Sequence, residues 1–375
     1  MNKSDLSRNA YLLKGSLAKK GYMRWWHSFT GTCPETGDRR VFFIEYFIMN
    51  PSLGEDKAVL GQLPANRKRK IKPSYVMVKA GAFAGDSCTK ALALHAFYPL
   101  KELKIALNPL VIQAGESFYS ENHIYGFVNV SPENARRRSY MCDEGCMEWD
   151  LEVHKAISCH TGRIASPFFC ALKALETFWH GEGIKTQYRG SVTLDGVTYE
   201  VNPESSYGYA DKHWGRAFNN PWMQLACCSL TSERTGKELK HSAIAVDGCC
   251  PRFLFFRLKR KLILQLTYEG EDFEINFSRW GTFSRCKWNL KQTKKRNIWQ
   301  IAAWNKDAVI KVTAGCLSED MMTMNYEAPN GARPKTPVLA AGSGDGKILL
   351  YRRVPGGKEL IDTLVMENVF CEFNK

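Results

Sequence analysis

The sequence predicts an all-β protein built from antiparallel barrels or sandwiches, and three observations predict it. Apolar residues recur at every second position through most of the chain, the period of a half-buried strand. Asp-Gly, Glu-Gly and Gly-Gly turn signals break these runs about every ten residues, as in sandwiches and barrels. Alternating helix and strand, the mark of a parallel α/β sheet, is missing, as are a Rossmann fingerprint and a P-loop.

In the first half, "GDRRVFFIEYFIM" (37–49) reads as a strand apolar on both faces, so both faces are expected to be buried and Glu45 to lie inside. "SYVMVKAGAF", "KALALHAFYP" and "NHIYGFVNVS" continue the pattern. "SPFFCALKALETFWH" (166–180) breaks it. Phe168, Leu172, Leu175 and Trp179 fall at helical spacing behind a Ser166-Pro167 start, which predicts a helix. A division near this helix gives domains 1–170 and 171–375. In the second half, "GSVTLDGVTYEV" predicts a hairpin turning at Asp195-Gly196. "KLILQLTYEGEDFEINF" predicts another around Glu269–Asp272, and "KILLYRRVPGGKELIDTL" a third at Pro355–Gly357.

The 375 residues are 44% hydrophobic and 12% aromatic, ample for a large core and unlike a disordered chain. The first 22 residues lack the apolar stretch of a secretory signal, and "VFFIEYFIM" is too short to cross a bilayer. These features predict a cytoplasmic protein. Thirteen cysteines, an odd number in a long chain, read as reduced thiols rather than a disulfide framework. Lys plus Arg exceeds Asp plus Glu by 52 to 38, a formal charge of +14, which favours an anionic partner. The excess is spread thinly. Its densest run, "RKRKIK" (67–72), points to peripheral membrane contact, and no nucleic-acid partner is expected.

Three constellations carry chemistry. In "GYMRWWHSFTG" (21–31), Arg24 and His27 flank Trp25 and Trp26. Paired indoles make an apolar wall for a ligand, and an imidazole titrates near neutral pH; the alternative is a core pair beside a structural histidine. In "SSYGYADKHWG" (205–215), Asp211 and His213 share one face of a strand, and Lys212 and Trp214 share the other. An acid and an imidazole on one face suit proton transfer, Lys212 suits an oxyanion, and a salt-linked turn is the alternative. Glu45 is a further acid candidate, since burial favours the neutral carboxyl. Cys142, Cys146, His154, Cys159 and His160 offer soft metal ligands, but their spacing matches no common zinc site, and no metal is expected.

The stretch "ETFWHGEGIKTQYRGSVTLDGVTYEVNPESSYGYADKHWG" (176–215) resembles the central signature of the tocopherol cyclase-like proteins. A Trp and a Gly-containing turn lead through a hairpin into Tyr207, Gly208, Tyr209, Asp211, Lys212, Trp214 and Gly215, with Trp222 at a further aromatic position. The closing "VMENVFCEF" is similar to that family's last strand. The resemblance implies two lipocalin-like β-barrel domains, the C-terminal one carrying the motif. It places the chain beside carotenoid hydratases and Diels–Alderases, in a superfamily that mostly works without cofactors on hydrophobic isoprenoid, polyene or polycyclic molecules. The resemblance favours a site at Tyr207, Tyr209, Asp211, Lys212, Trp214 and Trp222; with the residue chemistry above, catalytic roles are expected for Asp211, His213, Lys212, His27 and Glu45, and ligand contacts from Arg24, Trp25, Trp26, Tyr207, Tyr209, Trp214 and Trp222. A non-catalytic carrier of a hydrophobic ligand is the alternative. Neither the substrate nor the oligomeric state is legible.

Overall fold

The computed structural model describes residues 9–54, 56–85, 89–159, 177–217, 222–250, 252–253, 256–257, 259–277, 283–332 and 337–374. Strands dominate these residues and the helices are few and short, as the alternation predicts. The chain forms two compact units: Met1–Ala156 with Thr186–Phe218 and Met324–Pro337, and Ile157–Lys185 with Asn219–Thr323 and Val338–Lys375.

The first unit holds β1 (Tyr22–Thr32), β2 (Arg39–Met49), β3 (Tyr75–Ala82), β4 (Leu92–Tyr98), β5 (Leu103–Leu107) and β6 (Leu110–Ala114). It continues with β7 (Ser117–Ser120), β8 (His123–Val130), β9 (Gly145–Ile157), the part of β10 (Thr177–Leu194) from Thr186 onward, β11 (Val197–Val201) and β12 (Gly208–Gly215). These make one sheet in the order β4-β3-β2-β1-β11-β10-β9-β8-β7-β6-β5, with β12 paired to both β1 and β10. The sheet curls until β4 approaches β8. The edge of β4 is capped on the way: the Asp143 carboxylate accepts from the Ala93 N–H, and the Asp143 N–H donates to the Ala93 carbonyl. Capping of this kind removes an exposed strand edge.

The β10–β11 hairpin turns at Asp195-Gly196, with φ of 49° and 85°. Two successive positive φ angles give the tight turn that matches strand twist. Gly208 opens β12 because β10 lies against it. A Cβ there would sit 2.3 Å from the Thr186 carbonyl oxygen and 2.4 Å from the Tyr188 ring.

Strand alternation sorts the side chains of β1 and its neighbours onto two faces. One face turns into the barrel, where Trp25, His27, Phe29 and Tyr46 meet Tyr119 of β7 and Tyr188 of β10. The Tyr46 hydroxyl crosses this interior to donate to the Phe118 carbonyl at 2.6 Å. The other face is covered in part by the segment Met324–Pro337, through Tyr326. β2 is therefore buried on both sides, with Glu45 inside, as its sequence predicts.

The second unit comprises β13 (Trp222–Cys227), β14 (Ser229–Ser232), β15 (Ala243–Cys249), the short β16 (Arg252–Phe253) and β17 (Phe256–Arg257), β18 (Lys261–Tyr268) and β19 (Glu271–Asn276). It ends with β20 (Arg285–Gln292), β21 (Arg296–Trp304), β22 (Ala308–Leu317), β23 (Met322–Met324), β24 (Val338–Val354) and β25 (Gly357–Asn374). The main path runs β19-β18-β15-β13-β25-β24-β22-β21-β20. β20 returns to β18, where the Trp288 indole donates to the Lys261 carbonyl at 3.2 Å. The interior is a continuous apolar core that includes Leu225, Val246, Leu264, Trp299, Ile348 and Phe373.

Two expectations change. Residues 177–180, expected to end a helix, begin β10 instead, while 166–176 lie outside the described residues. The segment 208–215, expected in a C-terminal domain, pairs with β1 of the first sheet. The long β10 carries the chain back there, so strand pairing rather than chain order decides where the motif lies.

Candidate functional site

Register places five residues in one row across five strands. Asp211 of β12 faces Trp26 of β1, Trp26 faces Glu45 of β2, Glu45 faces Lys79 of β3, and Lys79 faces His95 of β4. Directly opposed residues share a face, so an acid, an indole, an acid, an ammonium and an imidazole line up. One step along, His213 faces Arg24, which faces Phe47; one step back, Tyr209 faces Ser28, which faces Phe43. Each of the five in the row is at most 1% exposed.

Tyr326 ties the centre of this row together. Arg24 Nη1 donates to its hydroxyl at 2.8 Å, and the hydroxyl donates to Glu45 Oε2 at 3.0 Å. Lys79 Nζ also lies 3.0 Å from Glu45 Oε2, donates to the Asn325 carbonyl at 3.3 Å, and sits 3.5 Å from the centre of the Tyr326 ring. Arg24 Nη1 is 4.0 Å from Glu45 Oε1, a coulombic contact too long for a hydrogen bond. The phenol is therefore polarised from both sides, by a guanidinium that donates and a carboxylate that accepts. Glu45, expected inside and found fully buried, is the charge partner of Lys79 and the acceptor of Tyr326.

At the β12 end, the Tyr209 hydroxyl donates to Asp211 Oδ2 at 2.9 Å, and His213 Nε2 lies 3.4 Å from the same oxygen. Tyr209 thus orients the carboxylate beside the imidazole. Trp26 lies between this pair and Glu45. It is stacked on Phe43 at 5.2 Å, with the Arg24 guanidinium 5.7 Å from its ring centre. At the β4 end, His95 Nδ1 is 2.8 Å from the Tyr140 carbonyl, which only an N–H can satisfy, so Nε2 carries the lone pair. Burial, with Lys79 adding to it, holds His95 well below the usual imidazole range. Its Nε2 has no hydrogen-bond partner among the described residues.

Other predicted site residues lie on the opposite, barrel-facing side. His27 Nδ1 is 2.9 Å from the Tyr188 hydroxyl, with its ring between Tyr119 and Tyr188. Burial pushes its pKa down to about 3, helped by Lys155 and opposed by Asp211. Burial thus favours the neutral imidazole, and its hydrogen bond to Tyr188 and flanking rings give it a structural role in the barrel interior. Lys212 Nζ donates to the Ala10 carbonyl at 2.7 Å and lies 5.1 and 5.9 Å from the Trp214 and Trp25 ring centres. Trp25 donates to Asn9 Oδ1 at 2.8 Å. Lys212, Trp25 and Trp214 thereby clamp the N-terminal segment.

The structure therefore brings Arg24, Trp26, Glu45, Tyr209, Asp211 and His213 to one face and leaves the rest elsewhere. Tyr207 sits in the turn before β12 under the Arg39 guanidinium, and Trp222 begins β13 of the second unit. Among the cysteines and histidines weighed for a metal, Cys159 Sγ lies 2.8 Å from Gln265 Oε1, while His160 is outside the described residues. No group of three His, Cys, Asp or Glu suits a metal ion among the described residues. A polar surface groove of about 600 Å³, lined by His123, Glu152, His154, Gln187 and Arg189 among others, contains none of the row.

Lys79, His95 and Tyr326 belong to the site without having been singled out in the sequence. Lys79 in "YVMVKAGAF" and His95 in "LALHAFY" each interrupt an apolar strand, as Glu45 does in "VFFIEYF". One polar residue in each of three such strands is a signal of cross-strand pairing. Tyr326 gives no such signal, because it is 281 residues away from Glu45 in the chain. The second unit also buries polar groups: Gln224 of β13 faces both Asp247 and Glu372, each at most 1% exposed.

No family model and no curated protein matches the chain. Among solved structures, it is similar to kievitone hydratase from Nectria haematococca, at 12% identity and a TM-score of 0.42 over 96% of this chain and 93% of that one. It is also similar to CghA in complex with Sch210972, at 9% identity and a TM-score of 0.46 over 95% and 89%.

Proposed function

We propose that this chain is a cofactor-independent acid–base enzyme, a cyclase, hydratase or isomerase acting on a hydrophobic small molecule. The observation that carries this reading is the buried row from Asp211 to His95. Removing charges from water costs several kcal/mol per ion, and a buried ion pair is weak evidence for stability. A fold that needed only a core would place apolar residues there.

The reading assigns proton exchange with the substrate to the Asp211–His213 pair, with Tyr209 holding the carboxylate in place. Proton transfer to or from a double bond requires no redox or carrier group. Trp26, stacked on Phe43 with the Arg24 guanidinium over its ring, packs between the Asp211–His213 pair and Glu45. Arg24, Glu45 and Lys79 fix the local field and polarise the Tyr326 hydroxyl, a second proton donor. The resemblance of 176–215 to the tocopherol cyclase-like signature points to an isoprenoid or polyene substrate.

A non-catalytic carrier is the competing reading. Native mass spectrometry of protein isolated from its own host separates the two. Recovery of a related substrate–product pair supports the enzyme, whereas a single intact lipid at full occupancy, unchanged on incubation, supports the carrier.

A further inference from the structure

The run 63–72 carries charge that no acidic side chain neutralises among the described residues. A short helix, Pro64–Arg69, leads into Lys70, Ile71 and Lys72. Arg67, Lys68, Arg69, Lys70 and Lys72 are all exposed, and none forms an ion pair among the described residues. No Asp or Glu occurs in the sequence between Asp56 and Asp86. Other cation-rich loops are partly neutralised: Arg137 pairs with Glu133, and Arg296 with Asp345.

Two aliphatic side chains flank these cations, Leu63 at 38% and Ile71 at 37% exposure. The segment is held firmly beneath them. Asn66 donates to the Leu60 carbonyl at 2.8 Å, Gln62 donates to the Gly331 carbonyl at 2.8 Å, and the Ile71 N–H donates to the Asn66 carbonyl at 3.0 Å. Only Asn66 turns inward, so the cations and the two apolar side chains are presented outward on an anchored elbow.

We infer that residues 63–72 dock the protein on an anionic lipid surface, with Leu63 and Ile71 entering the headgroup boundary. Clusters of four to eight basic residues bind acidic leaflets, at about 1 kcal/mol for each Lys or Arg near the surface, and apolar flanks add partitioning that salt does not screen. Single-stranded nucleic acid, the other polyanion, is gripped by aromatic platforms, and 63–72 contains no aromatic residue. This inference stands whether or not the buried row is catalytic.

The test is flotation of the full chain with vesicles of phosphatidylcholine alone or with 30% phosphatidylserine (on the order of a cytoplasmic leaflet's acidic content). Binding is expected only to the acidic vesicles. It should weaken about 25-fold in the double variant R67Q/R69Q, at about fivefold per charge, and weaken in L63S/I71S at high salt. All four residues are exposed, so melting temperatures should match the wild type. Equal binding to both vesicle types, wild-type binding by R67Q/R69Q, or tighter binding to a single-stranded oligonucleotide than to acidic vesicles would overturn the inference.

Discussion

Lys79 Nζ lies 3.0 Å from Glu45 Oε2, and both side chains are fully buried on facing strands. Removing Lys79 leaves the buried Glu45 with the longer Arg24 contact and the Tyr326 hydroxyl, and breaking a buried pair costs about 3–5 kcal/mol, whereas replacing both is often tolerated. Lys79→Met should therefore lower the stability measured by chemical denaturation by that amount. The Glu45→Gln, Lys79→Met double variant should recover much of it. A double variant no more stable than Lys79→Met would show that the pair is not energetically coupled.

The Tyr326 hydroxyl accepts from Arg24 and donates to Glu45. Tyr326→Phe keeps the ring against Lys79 but strips a hydrogen-bond partner from each of the other two. The expected loss is about 1–3 kcal/mol in denaturation. If the phenol also donates a proton to the substrate, turnover should fall with the protein still folded, and a variant with wild-type turnover would limit Tyr326 to structure.

His27 sets a pH dependence whose direction follows from its burial. Its native pKa is about 3 against an ordinary 6.5, so between those values the unfolded chain binds the extra proton. Stability is thus fully present above about pH 6.5 and is lost as pH falls toward 3. His95, also lowered by burial, adds in the same sense. His27→Gln should flatten part of the acid limb of a stability–pH profile by an amount on the order of 4 kcal/mol at pH 3. An unchanged limb would show that His27 is not the buried neutral group described.

The two faces of β12 should separate by mutation. Lys212→Met removes the donor to the Ala10 carbonyl and the contacts with Trp25 and Trp214. It should cost about 1–2 kcal/mol of stability and leave turnover per folded molecule unchanged. A selective loss of turnover would move Lys212 into the chemistry.

Much of this architecture is legible from local chemistry. The Asp195-Gly196 hairpin, the two-sided burial of β2 and the shared face of Asp211 and His213 follow from turn residues and period-2 alternation, which act over a few neighbours. The placement of β12 beside β1 does not, because long-range pairing made through β10 sets it. Nor does the sequence of "MRWWHS" say which neighbour faces which way. Trp26 and His27 look like one cluster until the pleat sends them to opposite faces. Lys79 and Tyr326 join the site only because register and a distant segment bring them there.

The central claim is that the buried face holds a proton-transferring site centred on Asp211 and His213. Turnover in D2O of an apolar substrate recovered from the native host, followed by mass spectrometry, tests it most directly. The wild type should place deuterium at a carbon of the product, and Asp211→Asn and His213→Gln should abolish this while retaining wild-type circular dichroism. Undiminished deuterium incorporation by both folded variants would contradict the account.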